Sequence, residues 1–202
     1  MLGKTTAIFN MTMERRGDPN ASVIGRNNPD LTQLGVNYRG SSIIGDDDIG
    51  GKTLDVSGYN KDSETAAYPG DRAPQVPSLV NATREDDKRE TLFDIFSASH
   101  HSVLVFARKY EENSALALTS VINRLPENTV RSVLILPSES YVKELGVVYD
   151  EVFVDSGSHG PSSYGLPSDQ SYYFVVVRPD GVVGARVHEV AGVERYFQKI
   201  FS

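Results

Sequence analysis

The stretch Ser171–Val187, SYYFVVVRPDGVVGARV, constrains the fold more than any other. Two apolar runs flank a Pro-Asp-Gly turn and read as a pair of strands. Pro179 supplies the φ of a turn position, and Gly181 supplies the positive φ that a tight turn with a bulge needs. An amphipathic helix follows. Val190, Val193, Tyr196, Phe197, Ile200 and Phe201 recur at helical spacing and form one apolar face.

Upstream of the hairpin, HSVLVFA (His101–Ala107) and RSVLILP (Arg131–Pro137) are continuous apolar runs. Such runs predict strands buried on both faces, as in a parallel sheet. Between them a helix is predicted from about Glu112 to Arg124. Leu118, Val121, Ile122 and Leu125 make its stripe, and Pro126 stops it. SYVKELG predicts a helical turn or two closed by Gly146. EVFVD reads as a third short strand, TLFDIFS as a short strand or the entry to a helix, and Ser156–Gln170 as a loop. Strand, helix, strand, helix, strand pair, helix is an α/β order. It implies a mixed sheet with right-handed crossovers and helices on both faces.

The composition changes near residue 90. Residues 17–89 are rich in Asp, Asn, Gly, Pro and Ser, and their apolar pieces are short. Loops and brief extended segments are expected there, packed on the second half or on a partner subunit. Thr5–Arg16 reads as a short helix with Ile8, Met11 and Met13 inward. The expected division is residues 1–67, packing on the core, and residues 68–202, the folded domain.

Among 202 residues the net charge is −7, and no basic stripe is visible. That argues against a nucleic-acid partner, because phosphate binding needs a basic surface. No apolar run is long enough to cross a bilayer, and the first 16 residues make a poor secretory signal. The expected location is therefore the cytoplasm, and the sequons at Asn10, Asn20 and Asn81 are read as incidental. The chain has no cysteine, which excludes disulfides, thiolate metal sites and a thiol nucleophile.

The order of elements resembles a thioredoxin-like domain. YPGDRAPQVPSLV, then TLFDIFS and HSVLVFA, then YGLPSDQSYYFVVVRPDGVVGARV, is similar to the C-terminal domain of FAD-dependent aromatic hydroxylases of the phenol 2-monooxygenase type. In that family a Gly-Asp-Arg-Ala-Pro segment opens the domain, here Gly70–Pro74, and an Arg-Pro-Asp-Gly hairpin lies near its end, here Arg178–Gly181. LGVNYRGSSIIGD, Leu34–Asp46, looks like the stretch that leaves the family's substrate domain. The chain contains no Gly-x-Gly, so the family's Rossmann fingerprint is missing and no FAD or other cofactor is expected. The resemblance implies a redox-inactive thioredoxin-like domain serving subunit contacts, here a dimerisation or interaction module that forms a homodimer. Two other readings stay open. One is a cofactor-independent isomerase, cyclase, dehydratase or hydrolase acting on an aromatic or polyketide-type small molecule. The other is a protein that assists a separate oxygenase.

The residues that would carry chemistry gather beyond the C-terminal ends of the predicted strands, where thioredoxin-like proteins keep their active residues. His159 with Asp155 or Glu139 would make an acid–base set, because a carboxylate can orient an imidazole that titrates near neutrality. Tyr164 and Arg108 would border the same crevice. Tyr38 and Arg39 would bind a phenolic or carboxylated ligand, or else anchor the N-terminal region. His100 and His101, at the opposite strand end, read as surface or capping residues, and His188 as solvent-facing. No histidine pair has metal-ligand spacing, so no metal is expected. GDDDIGGKT, Gly45–Thr53, has five residues where a phosphate loop has four, and Asp46–Asp48 read as a solvated acidic turn.

Overall fold

The computed structural model describes residues 36–47, 66–84, 88–108, 111–137, 148–167 and 171–201. The expected helices at Thr5–Arg16 and in SYVKELG, and the candidate Glu139, lie outside them.

Eight strands form one mixed sheet: β1 (Gly45–Asp46), β2 (Leu79–Asn81), β3 (Arg89–Glu90), β4 (His101–Ala107), β5 (Val130–Leu136), β6 (Glu151–Val154), β7 (Tyr172–Val177) and β8 (Val183–Val187), in the order β1-β8-β7-β4-β5-β6-β2-β3. The helices among the described residues are α1 (Leu92–Ile95), α2 (Glu112–Ile122), α3 (His159–Ser163) and α4 (Val190–Ile200). At the centre, β4 runs parallel to β5, with Leu104 opposite Val133, and antiparallel to β7, with Leu104 opposite Val175. β5 and β6 are parallel, and β7 and β8 form the expected hairpin. All seven residues of β4 are buried, as a strand between two neighbours and two covered faces must be.

Alternate side chains take opposite faces. On one face Val103, Val105, Leu134, Phe174 and Val176 pack against Leu118 of α2 and Val193, Tyr196 and Phe197 of α4. On the other, Leu104, Phe106, Val133, Ile135, Tyr173 and Val175, with Leu79 of β2, pack against Ala73, Val76, Leu92 and Tyr164. This second cover is made of short helices and irregular chain. TLFDIFS holds a helical turn rather than a strand. The Thr91 backbone N–H and hydroxyl both donate to Asp94, at 2.9 and 2.7 Å, and start the turn.

The hairpin turn is closed by the Gly181 N–H donating to the Arg178 carbonyl at 2.9 Å, with Gly181 at φ +77° and a bulge at Val176/Val177. The sequence assigned other residues differently. Ser156–Gln170 is not all loop, because α3 forms inside it. His101 is buried, with its ring 5.5 Å from Phe197 and 6.0 Å from Phe201. The end of β4 lies beneath the aromatic end of α4, and burial lowers the imidazole pKa. His188 is half-buried, its ring 4.8 Å from Tyr173. Asp46 is not in a solvated turn. It belongs to an edge strand, and its fully covered carboxylate sits 3.1 Å from the Arg186 guanidinium.

Candidate functional site

A cleft of about 310 Å³ opens where the C-terminal ends of β4 and β5 meet α3. Phe106, Ile135, Tyr173, Pro161, Leu166 and Pro167 give it apolar walls, and Arg108 and Asp155 are its charged members. Parallel strands direct their C-terminal ends the same way, so β4, β5 and β6 deliver Arg108, Pro137 and Asp155 to one rim.

Asp155 is 2% exposed. Its backbone N–H donates to the Leu136 carbonyl at 2.8 Å, extending the β5–β6 pairing by one residue. Ser158 takes a left-handed conformation, φ +52°, and that reversal brings the first amides of α3 back onto the carboxylate. The His159 N–H donates to Oδ1 at 3.1 Å and the Gly160 N–H to Oδ2 at 2.7 Å. The carboxylate thus satisfies two amides that a helix start leaves without intrahelical partners. Gly160 is required at this point. A Cβ there would lie 2.4 Å from Phe106 and 3.2 Å from the Asp155 carboxylate.

The other candidates are placed as follows. The His159 imidazole is on the exposed side of α3, folded over Gly157. Among the described residues no hydrogen bond joins it to Asp155, which meets only its backbone. Tyr164 is fully buried, its ring 5.5 Å from Phe106, and its hydroxyl donates to the Pro74 carbonyl at 3.3 Å. Burial pushes its pKa far up, so it stays a neutral phenol at any ordinary pH. Arg108 is exposed at the rim, and its backbone N–H donates to Ser171 at 3.0 Å. Asp155, Arg108 and the residues around Tyr164 therefore share one region.

Tyr38 and Arg39 do not join them, and neither lines the cleft. They lie along the β8 side of the sheet. The Tyr38 N–H donates to Gly70, whose own N–H donates to Val183, both at 2.7 Å. Arg39 is buried and makes a two-pronged ion pair with Asp71 at 2.8 and 2.7 Å. Tyr38 is half-exposed beneath the Arg178 guanidinium.

Sequence reasoning missed a set of residues that holds this region. The Tyr68 ring has Arg39 on it at 5.1 Å and Arg186 at 4.7 Å. Arg186 also donates to the Tyr164 carbonyl at 3.1 Å and pairs with Asp46. Asp71 stands in the Gly70–Pro74 segment, so that motif was the available signal. Phe106 and Tyr173 were legible only as strand residues.

No family model matches the chain, and no curated protein matches it significantly. Solved structures do. The chain is similar to the thioredoxin domain of a thiol-disulfide oxidoreductase from Bacteroides vulgatus, at 13% identity over 68% of this chain and 100% of that one, TM-score 0.54. The fold is thioredoxin-like. The chain is also similar to part of the flavin-dependent monooxygenase PieE, solved with FAD and substrate. The identity is 16% over 90% of this chain and 28% of that one, TM-score 0.56. For aklavinone-11 hydroxylase, solved with FAD and aklavinone, identity is 21% over 87% of this chain and 28% of that one, TM-score 0.56. The chain therefore spans 28% of the length of either flavin enzyme. At these identities the likeness is one of fold.

Proposed function

We propose that this thioredoxin-like domain works by association rather than by thiol chemistry, as a homodimerising module of the kind found at the tail of flavin aromatic hydroxylases. The observation that carries the reading is the use of the polar groups. Asp155 holds the start of α3, Tyr164 holds Pro74 and Arg39 holds Asp71. With no cysteine in the chain, the strand end that thiol oxidoreductases use carries no thiol, and its Asp155 is engaged in holding α3. Both flavin enzymes match the chain over most of its length while extending far beyond it, which suits a part whose surface meets other protein. Residues 36–47 act as a strap along β8, and their exposed Tyr38 and Ile43 are the contacts offered to a second copy.

Light scattering tests this directly. The expected mass is twice the 22.1 kDa of one chain, falling to one chain mass in Tyr38→Ala/Ile43→Asp. A monomer at high micromolar concentration would remove the dimer. A second reading, a cofactor-independent enzyme on an aromatic or polyketide-type molecule, is favoured by one feature, the apolar cleft with Arg108 and Asp155 in its lining. It expects turnover that disappears in Arg108→Gln while the fold persists.

A further inference from the structure

The Tyr173 hydroxyl is buried and has no hydrogen-bond partner among the described residues, although the residue is only 2% exposed and lines the cleft. Buried hydroxyls are nearly always paired with protein or ordered water, so one that no residue satisfies beside a cleft is open to a partner from outside the chain. Removing such a group from water without a partner costs about 1–3 kcal/mol. Its surroundings define what would pair with it. Tyr173 stands opposite Phe106 in the β4–β7 ladder. Arg108 follows Phe106 by two positions, so it leaves the strand on the same face. Among the described residues no carboxylate pairs with the Arg108 guanidinium, which is exposed at the rim. The acidic member of the lining, Asp155, already accepts two backbone N–H groups. Apart from Ser158, the remaining walls are aromatic, aliphatic and proline. The volume of about 310 Å³ sits at the small end of ligand sites, which begin near 300 Å³.

We propose that this cleft is a binding site for a small aromatic carboxylate. The ring lies between Phe106 and the Pro161–Pro167 wall, and the carboxylate accepts from the Tyr173 hydroxyl and faces the Arg108 guanidinium. Asp155 repels the anion from the far side and so fixes which end of the ligand points to Arg108. This goes beyond self-association and does not depend on it.

Two probes test the site on the full chain, 1-naphthoate and its methyl ester, by calorimetric titration and amide chemical-shift mapping. Naphthoate should saturate one site, with shifts centred on Phe106, Arg108, Ser158 and Tyr173. The ester, which keeps the carbonyl acceptor and loses the charge, should bind more weakly. Tyr173→Phe removes one oxygen and should weaken naphthoate about tenfold or more, as expected for a hydrogen bond to a charged acceptor, and the uncharged ester by less. Arg108→Gln should abolish the preference for the anion. Leu166→Trp, which fills the cleft, should stop binding while the amide spectrum elsewhere stays unchanged. Absence of saturable binding, shifts centred elsewhere, or unchanged affinity in Tyr173→Phe would overturn the proposal. Light scattering on the same samples reads self-association separately, so a monomer that binds naphthoate removes the dimer and keeps the site.

Discussion

At Arg39 a single side chain ties together segments that are 32 residues apart. The guanidinium is planar and matches a carboxylate with two parallel N–H groups, a geometry that lysine cannot reproduce. Both prongs reach Asp71, whose Oδ2 also accepts the Tyr68 N–H at 2.9 Å. The approach is close enough to demand glycine next door. Gly70 has φ +98°, and a Cβ there would lie 2.4 Å from the Arg39 nitrogen. Asp71→Ala would take the two-pronged carboxylate from a guanidinium that is 2% exposed, and breaking a buried pair in this way costs up to roughly 3–5 kcal/mol. Arg39→Lys should recover less than half of that, because one prong and the stacking on Tyr68 are lost. Urea denaturation of the three proteins measures this. Equal stability of Arg39→Lys and the parent chain would show that charge alone suffices there.

At the scale of elements, α3 shows why part of the molecule was hidden from its sequence. β4, β5, β7, β8, α2 and α4 carry apolar periodicity over five to eleven residues, and that pattern is enough to place them. His-Gly-Pro-Ser-Ser has no such pattern. Its helical turn exists because Asp155, positioned by β6, collects its first amides. β1 and β3 are two residues long and owe their conformation to the neighbour they pair with. The crevice itself was legible as the meeting of Arg108, Asp155 and the chain near Tyr164, because parallel strands share an end. Its walls were not, since Phe106 and Tyr173 look like any strand residue until α3 closes over them. The same dependence makes a prediction. Asp155→Ala frees two amides at the start of α3 and should destabilise the fold by about 1–2 kcal/mol, the range for losing a helix cap. Hydrogen exchange at His159 and Gly160 should rise with it. Unchanged protection at Gly160 would mean that α3 stands without the carboxylate.

For the whole molecule, the two histidines at the N-terminal end of β4 set an acid limit on stability. Burial lowers the pKa of His101 first of all, among the rings of Tyr196, Phe197 and Phe201. Burial and then the charge of Arg131 lower that of His100. Both folded values lie below the ordinary 6.5. Well above pH 6.5 the ring is neutral whether the chain is folded or not, and the stability linked to it is fully present. As the pH falls below that value the unfolded chain binds protons that the folded chain refuses, so unfolding is favoured. The loss continues until the pH passes through the folded values. Each ring contributes at most about 1.4 kcal/mol per pH unit. Carboxylates enter mainly below about pH 5, which leaves an interval where the histidines dominate. Denaturation midpoints between about pH 5 and 6.5 should fall with acid in the parent chain. They should fall distinctly less in His101→Phe, which keeps a ring in the aromatic cluster and cannot be protonated. An equal slope in both proteins would place the acid sensitivity on groups other than His101, and would mean that the end of α4 opens to let the charged ring reach water.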